Sequence, residues 1–333
     1  MFRRLLILGF IAVALVLGGL TAYQHILSAR LLSEFQLWAE QARVQGWSVS
    51  FSKPMRTGWP RAAALEVPDF ALSASGADAP TWHCNRLLLS IDLLRPDHLT
   101  VSANGQQQAG ALGRPLHDFS ANTLALNLPF RPKNGGAIAA LTIHRLRAPE
   151  SRTAIDALSL SLFQLRPELR GRLVIDGLEL PGAQSWPLGP RIAHLDGLET
   201  LTAPPAAPAP ITALARTWQT ANGELRISQT NLRWGPLDAI INGTAHLDPT
   251  LQPVASGHAI LSGYDQALDA LVSRRVMSND AAFAAKAVLS LLAHTPAGGG
   301  PPTVDAPFSL RDLVLYVGPI PLARVRPISW DAS

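Results

Sequence analysis

Short runs in which apolar and polar residues alternate, each closed by a turn, recur along most of this chain and constrain it to antiparallel sheet. Leu87-Leu88-Leu89-Ser90-Ile91, His98-Leu99-Thr100-Val101, Leu124-Ala125-Leu126-Asn127-Leu128, Ile138 to Ile143, Leu158-Ser159-Leu160-Ser161-Leu162 and Leu173-Val174-Ile175 are of this kind. A period of two suits a strand, because successive side chains point to opposite faces. Arg95-Pro96-Asp97, Asn104-Gly105 and Asn134-Gly135-Gly136 supply turn geometry between them. With no long helical pattern interposed, neighbouring strands pair as meanders rather than as crossover units. The expected fold is mainly β (α+β): long curved antiparallel sheets with a few helices, preceded by one N-terminal transmembrane helix.

The helix at the front is a second, separate signal. From Leu5 to Tyr23 no side chain is charged, a run about as long as a bilayer core requires. Arg3 and Arg4 precede it and favour a cytoplasmic N-terminus with the body on the far side. The run exceeds the roughly 7 to 15 apolar residues of a secretory signal, and neither Leu20-x-Ala22 nor Val16-x-Gly18 makes a good cleavage site. The expectation is a retained single-pass anchor over 1–29, in an inner membrane, with the body in the periplasm.

The 333 residues, 47% hydrophobic and 16% charged, suffice for a large core, and 27 prolines with 25 glycines imply many turns. The formal charge of +4 is small for this length, and no arginine cluster with interleaved aromatics occurs, so nucleic acid is not expected as a partner. Cys84 is the one cysteine. It permits no internal disulfide and no cysteine-based zinc site, and suits a small buried apolar side chain.

Beyond the anchor, Leu31, Leu32, Phe35, Trp38 and Ala42 recur at helical spacing. Gly46 ends that helix, and Trp47 to Phe51 then alternates as a strand. The amphipathic stripe is expected to pack on the following sheet rather than on lipid headgroups. A β-rich region fills 30–202, a proline-rich connector follows at 203–210, and a second β-rich region spans 211–333. Within the latter, Ile211 to Trp218 makes a short helix ended by Asn222-Gly223. Glu224 to Arg233, Leu237 to Leu247 and Val254 to Ser262 make a three-stranded meander. A helical insertion occupies 265–294, divided by the capping residues Ser278-Asn279-Asp280. Gly298 to Pro302 forms a flexible connector before the last strands, 308–310, 313–316 and 320–325. Gly-Pro recurs at bends, at 189–190, 235–236 and 318–319.

Chemistry-bearing patterns are scarce. The chain has no phosphate-binding glycine loop, no His-Glu-x-x-His and no Gly-x-Ser-x-Gly. His83 and Cys84 are neighbours on a strand and so face opposite ways, which prevents them from sharing a metal. Asp265 and Asp269 sit one turn apart at a helix start, where carboxylates complement the macrodipole. Arg274-Arg275 reads as a solvated pair. No catalytic, cofactor-binding or metal residue is assigned, no cofactor is expected, and catalysis is the less favoured reading. Trp47, Trp59, Trp82, Trp186, Trp218, Trp234 and Trp330 read as core anchors, or as the lining of an open sheet face able to hold an acyl chain.

Several motifs together resemble a known family. They are the N-terminal helix, Trp47 to Phe51, Thr57-Gly58-Trp59-Pro60, Trp82 leading to Arg86-Leu87-Leu88-Leu89, Arg95-Pro96-Asp97-His98-Leu99, Trp234-Gly235-Pro236-Leu237 followed by Gly243 and Leu247-Asp248, and Val317 to Leu322. On these the chain resembles the bacterial domain of unknown function twenty-one twenty-five over nearly its whole length after the anchor. At Asp312-Leu313 it departs from the Asp-Gly that the resemblance implies for the last tight turn. By architecture the family looks distantly like AsmA-type envelope proteins, which implies lipid handling but no reaction.

The functional expectation is therefore a membrane-anchored envelope protein that binds, without catalysis, a lipid or other apolar ligand or an envelope partner. The alternative is an envelope hydrolase acting on lipid or cell-wall material.

Overall fold

The computed structural model describes residues 2–74, 79–111, 115–132, 135–182, 186–205, 211–295, 301–318 and 320–330, with side chains of the first helix described from Gly18 onward. The chain forms two compact units, Met1–Arg131 and Pro132–Ser333.

In the first unit, α1 (Phe2–Val44) leads into β1 (Ser48–Ser50), β2 (Met55–Thr57), β3 (Ala62–Ser73), β4 (Pro80–Asp92), β5 (His98–Ser102), β6 (Gly105–Ala111), β7 (His117–Ala121) and β8 (Thr123–Pro129). All described pairings within the unit are antiparallel. β3 lies between β4 and the short β1 and β2, and β4 pairs with both β5 and β6. β5 continues to β8, and β6 to β7. Leu31, Phe35, Ala39 and Ala42 share one helical face and are buried against Leu65, Val67, Phe70, Cys84, Leu87 and Leu89, so the stripe packs on the sheet. Phe35 meets Phe51 at 4.9 Å between ring centroids, and Phe70 meets Trp82 edge-on at 5.7 Å. α1 ends where Gly46, at φ 91°, turns left-handed. Its N–H donates to the Arg43 carbonyl and that of Trp47 to the Ala42 carbonyl, a Schellman closure. Within this core, fully buried Gln107 accepts the Trp82 indole N–H at 2.9 Å and donates to the Ala103 carbonyl at 2.8 Å. Its amide is thus not left unsatisfied.

The second unit is a meander. It contains β9 (Ala137–Ala148), β10 (Thr153–Leu165), β11 (Glu168–Glu179), β12 (Arg191–Leu201), α2 (Ile211–Thr220), β13 (Leu225–Trp234), β14 (Leu237–Leu247), β15 (Pro253–Ser262), α3 (Tyr264–Ser273), α4 (Asn279–Leu292), β16 (Ala293–His294), β17 (Thr303–Arg311), β18 (Val314–Val317) and β19 (Ile320–Arg324). Each long strand is antiparallel to the next, and β15 continues the sheet to β17 across the helical excursion. The capping residues Ser278-Asn279-Asp280 allow two helices or one kinked helix, and the excursion forms two. Ser278 caps α4 by accepting the Ala281 N–H on its hydroxyl.

Mainly antiparallel β with α1 to α4 among the described residues agrees with the sequence pattern. The anchor is a different matter: much of Leu5 to Tyr23 lies outside the residues whose side chains are described. Among the described residues no helix is long and apolar enough to cross a membrane. The compact units part at Arg131/Pro132. Residues 206–210 of the proline-rich connector and 298–300 of the glycine-rich one lie outside the described residues, and β12 and β13, on either side of the former, are paired. Strands β2, β3, β6, β7, β12 and β16 are additions to the runs recognised from alternation.

At the β17–β18 hairpin, Arg311 pairs with Val314, and both central residues are left-handed, Asp312 at φ 51° and Leu313 at φ 59°. The tight turn therefore forms despite the missing glycine, with a side chain in a conformation that disfavours one.

Leu313→Gly is expected to raise the free energy of unfolding by about 1 kcal/mol, by relieving that turn; a lower denaturant midpoint in the variant would contradict the strained-turn account. Phe35→Ala is expected to lower the stability of the first unit by about 3–5 kcal/mol in denaturant titration. A loss no larger than that from truncating the half-exposed Trp38 would contradict the packing described for α1.

Candidate functional site

Cross-strand partners in an antiparallel ladder share a face, so the registers sort the second unit's sheet into two surfaces. One carries Leu141 and Ile143 of β9, Leu158, Leu160 and Leu162 of β10, Leu169, Leu173 and Ile175 of β11, and Leu195 and Leu201 of β12. The same face runs on through Leu225, Ile227 and Leu232 of β13 and Ala239 and Ile241 of β14 to Val304, Ala306 and Phe308 of β17. At the β17 end, α3 and α4 close it: Tyr264, Leu268, Met277, Ala282, Ala285 and Leu289 form a core with Val304, Ala306 and Val317. The helices lie mainly against β14, β17 and β19. Toward β9 the character changes. Leu158, Leu160, Leu162, Leu169, Leu173, Ile175, Leu195 and Leu201 are only half-buried. Leucines along a sheet face that remain partly wet form an apolar surface larger than scattered exposure accounts for.

Glycines and charged groups interrupt this face: Glu199 among the leucines and, past Leu158, Asp156 with Arg147 and Arg191. Gly171 stands opposite Leu162 and Glu199. Among the described residues a Cβ added there would meet only Leu162 Cδ2, at 3.7 Å, so the space above it is open. Two residues before Glu199, Gly197 is buried beneath the Glu199 carboxylate and the Thr230 hydroxyl, which would occupy the position of its missing Cβ. Thr230 donates to Glu199 Oε1 at 3.1 Å. Burial pushes the Glu199 carboxyl above the usual carboxylate range, with Thr230 acting in the opposite sense.

The opposite face mixes ion pairs with apolar side chains such as Phe163, Leu165 and Leu198. Arg172 holds Asp196 through Nε and Nη2 at 3.3 and 3.0 Å, and Arg226 pairs with Glu168 at 2.9 Å. A cavity of about 680 Å³ lies here, lined by Phe163, Leu165, Arg170, Arg172, Asp196 and Gln229 among others. His194 Nδ1 and Asp176 Oδ1 are 2.7 Å apart. This is a histidine beside a carboxylate, as a hydrolase needs, but on an open sheet rather than in a closed pocket. On the leucine side instead, beyond Leu158, Asp156 bridges Arg147 and Arg191 at 2.8 and 2.7 Å, and these guanidiniums hold its carboxyl below the usual range.

The residues singled out from sequence are dispersed. Cys84 is buried, and burial pushes its thiol up to about 11. No group of three or more metal-binding side chains converges among the described residues. Asp269 accepts from Lys286 at 2.7 Å, a pair that ties α3 to α4. Trp82 packs in the core of the first unit, and several other tryptophans pin bends. Trp234 donates to the Gly189 carbonyl at 2.8 Å and packs on Trp186, which joins two of the Gly-Pro bends. Trp218 donates to Thr202, Trp330 to Leu251 and Trp59 to the Thr21 hydroxyl. An indole with one polar atom suits such half-buried junctions. Glu199 went unmarked in the sequence because β12 did. Its sole signal is the alternation Leu195, Gly197, Glu199, Leu201.

A model of the family described as "Uncharacterized protein conserved in bacteria (DUF2125)" matches residues 27–326. No curated protein and no solved structure matches the chain.

In the native protein the Cys84 thiol is expected to stay unreactive toward Ellman's reagent at neutral pH and to react once guanidinium unfolds the chain, since thiolate is scarce and access is closed. Fast reaction without denaturant would show that the α1–β3–β4 core opens.

Proposed function

The chain belongs to the family of uncharacterized proteins conserved in bacteria, with the family model spanning residues 27–326, and from that premise we propose a binding protein of the cell envelope. In this reading Leu5 to Tyr23 anchors it in the inner membrane, the two units face the periplasm, and the leucine face of β9–β12 takes an alkyl chain of a lipid. The observation that carries the reading is that face. It is continuous by register, is mainly apolar, is closed by α3 and α4 at the β17 end, and among the described residues has half-buried leucines at the other. An alkyl chain laid across it would complete what the helices do at the β17 end, each buried methylene contributing about 0.8 kcal/mol. Such a role needs no acid, base or nucleophile. In this respect the chain is similar to AsmA-type envelope proteins, and the likeness is part of the proposal. The opposite face, with its ion pairs, would stay in water.

The test is site-specific photocrosslinking in the full-length protein in cells. A photoreactive phenylalanine in place of Leu160 or Leu173 is expected to capture alkyl-chain lipid, identified by mass spectrometry, whereas the same group in place of Ser161 or Arg172 captures none. Equal capture from the two faces, or none from the leucine face, would overturn the lipid-binding reading. The anchor is tested separately by a topology reporter fused after Ser333, expected to be active in the periplasm and contradicted by activity in the cytosol.

A further inference from the structure

Resting on the lipid-binding reading, one polar feature of the leucine face narrows the ligand. A carboxylate on an apolar surface is costly unless something answers its charge. Glu199 stands on the same face as Leu169, Leu173 and Leu201, and the groups answering it are the Thr230 hydroxyl and its own backbone. Among the described residues no cation pairs with it. Arg170, Arg172 and Arg226 take partners on the other face, Thr200, Asp196 and Glu168, and Arg147 and Arg191, on the leucine side beyond Leu158, are held by Asp156. Its immediate surroundings on its own face, Gly171, Gly197, Ile227 and Thr230, hold no other titratable group, and Asp196, which also disfavours its ionised form, points to the opposite face.

Beside the carboxylate the protein leaves room. Gly171 sits directly across from Glu199, and among the described residues a Cβ there would touch only the tip of Leu162. The contrast with Gly197 is informative. There the missing Cβ makes space that Glu199 and Thr230 themselves fill, so the carboxylate is held in place over one glycine while the neighbouring glycine opens a notch next to it.

We infer that the notch at Gly171 is the head-group subsite of the leucine face, and that Glu199 there receives a primary ammonium carried on an alkyl chain. The chain runs along Leu162, Leu160 and Leu158, and the ammonium donates to the carboxylate oxygen left free by Thr230. At this notch an anionic head would meet the like charge of Glu199, while Arg147 and Arg191 farther along the face are held by Asp156. A neutral hydroxyl would bond to the carboxylate but leave its charge unmatched.

The experiment uses the full-length protein in phosphatidylglycerol nanodiscs with two diazirine-bearing probes, a dodecylamine and a dodecanol, and maps the labelled peptides. The amine is expected to label the peptides around Leu162 and Leu173 at least tenfold more strongly than the alcohol. Glu199→Gln keeps the shape and the Thr230 contact, and should cut amine labelling by about tenfold or more while leaving alcohol labelling unchanged, as loss of a charge-assisted hydrogen bond implies. Gly171→Leu should block both probes. Amine labelling unchanged in Glu199→Gln, or equal labelling by the two probes, would overturn the subsite while alkyl binding to the face stands. Absence of labelling by either probe would overturn the lipid-binding reading itself. Unchanged thermal unfolding of Glu199→Gln separates loss of binding from loss of fold.

Discussion

The antiparallel register of β9 through β17 is what the rest of the second unit depends on. Because opposite residues share a face, one slip of register would carry the leucines of β10 and β11 to the side now held by Arg170, Arg172 and Asp196. The register is fixed by closely spaced turns and by the demand that Val304, Ala306 and Phe308 meet the helices. Once the β17 end is set, the meander transmits the same division of faces to β9. The apolar surface near β10 is therefore a continuation of a core.

This continuity explains how one sheet face serves two purposes. Where α3 and α4 lie on it, Val304 and Ala306 are buried and Phe308 packs against them half-buried. Where the helices end, the side chains become Leu and are half-buried. A domain that needed only stability would be expected to keep the polar alternation on an uncovered face. Long flexible leucines can adapt to an alkyl chain more readily than β-branched residues with stiff χ1 angles. The first unit offers a contrast, since its sheet is closed by α1 through Leu31, Phe35, Ala39 and Ala42.

Strands with a clean period of two were legible from sequence, as in Leu158-Ser159-Leu160-Ser161-Leu162, and the Ser278 cap and the Gly46 stop announced their helix ends through local chemistry. β12 was hidden, because Ile192, Leu195, Leu198 and Leu201 recur every third residue and mask the alternation, with leucines on both of its faces. Glu199 was hidden with it. The β17–β18 turn was legible in position but not in substance: Asp312-Leu313 adopts a glycine-like geometry because the flanking pairs impose it. Trp82 does pack in a core, against Phe70, while Trp59, Trp186, Trp218, Trp234 and Trp330 stand at bends for a physical reason. Their size suggests a core, yet an indole N–H needs a partner, and here backbone carbonyls and a threonine hydroxyl at bends provide one.

The account's central claim is that the leucine face between β9 and β12 is mainly apolar yet open. Spin labels at positions 160 and 161 of a Cys84→Ala background, read for collision with oxygen and with a water-soluble nickel chelate, test it most directly. The account predicts that the label at 160 is relaxed by oxygen in preference to nickel and loses that accessibility when alkyl chains are added, while the label at 161 responds to nickel throughout. A label at 160 that neither agent reaches before any chain is added would show a closed core, and one that nickel reaches as readily as 161 would show a wet surface. Either result contradicts the account.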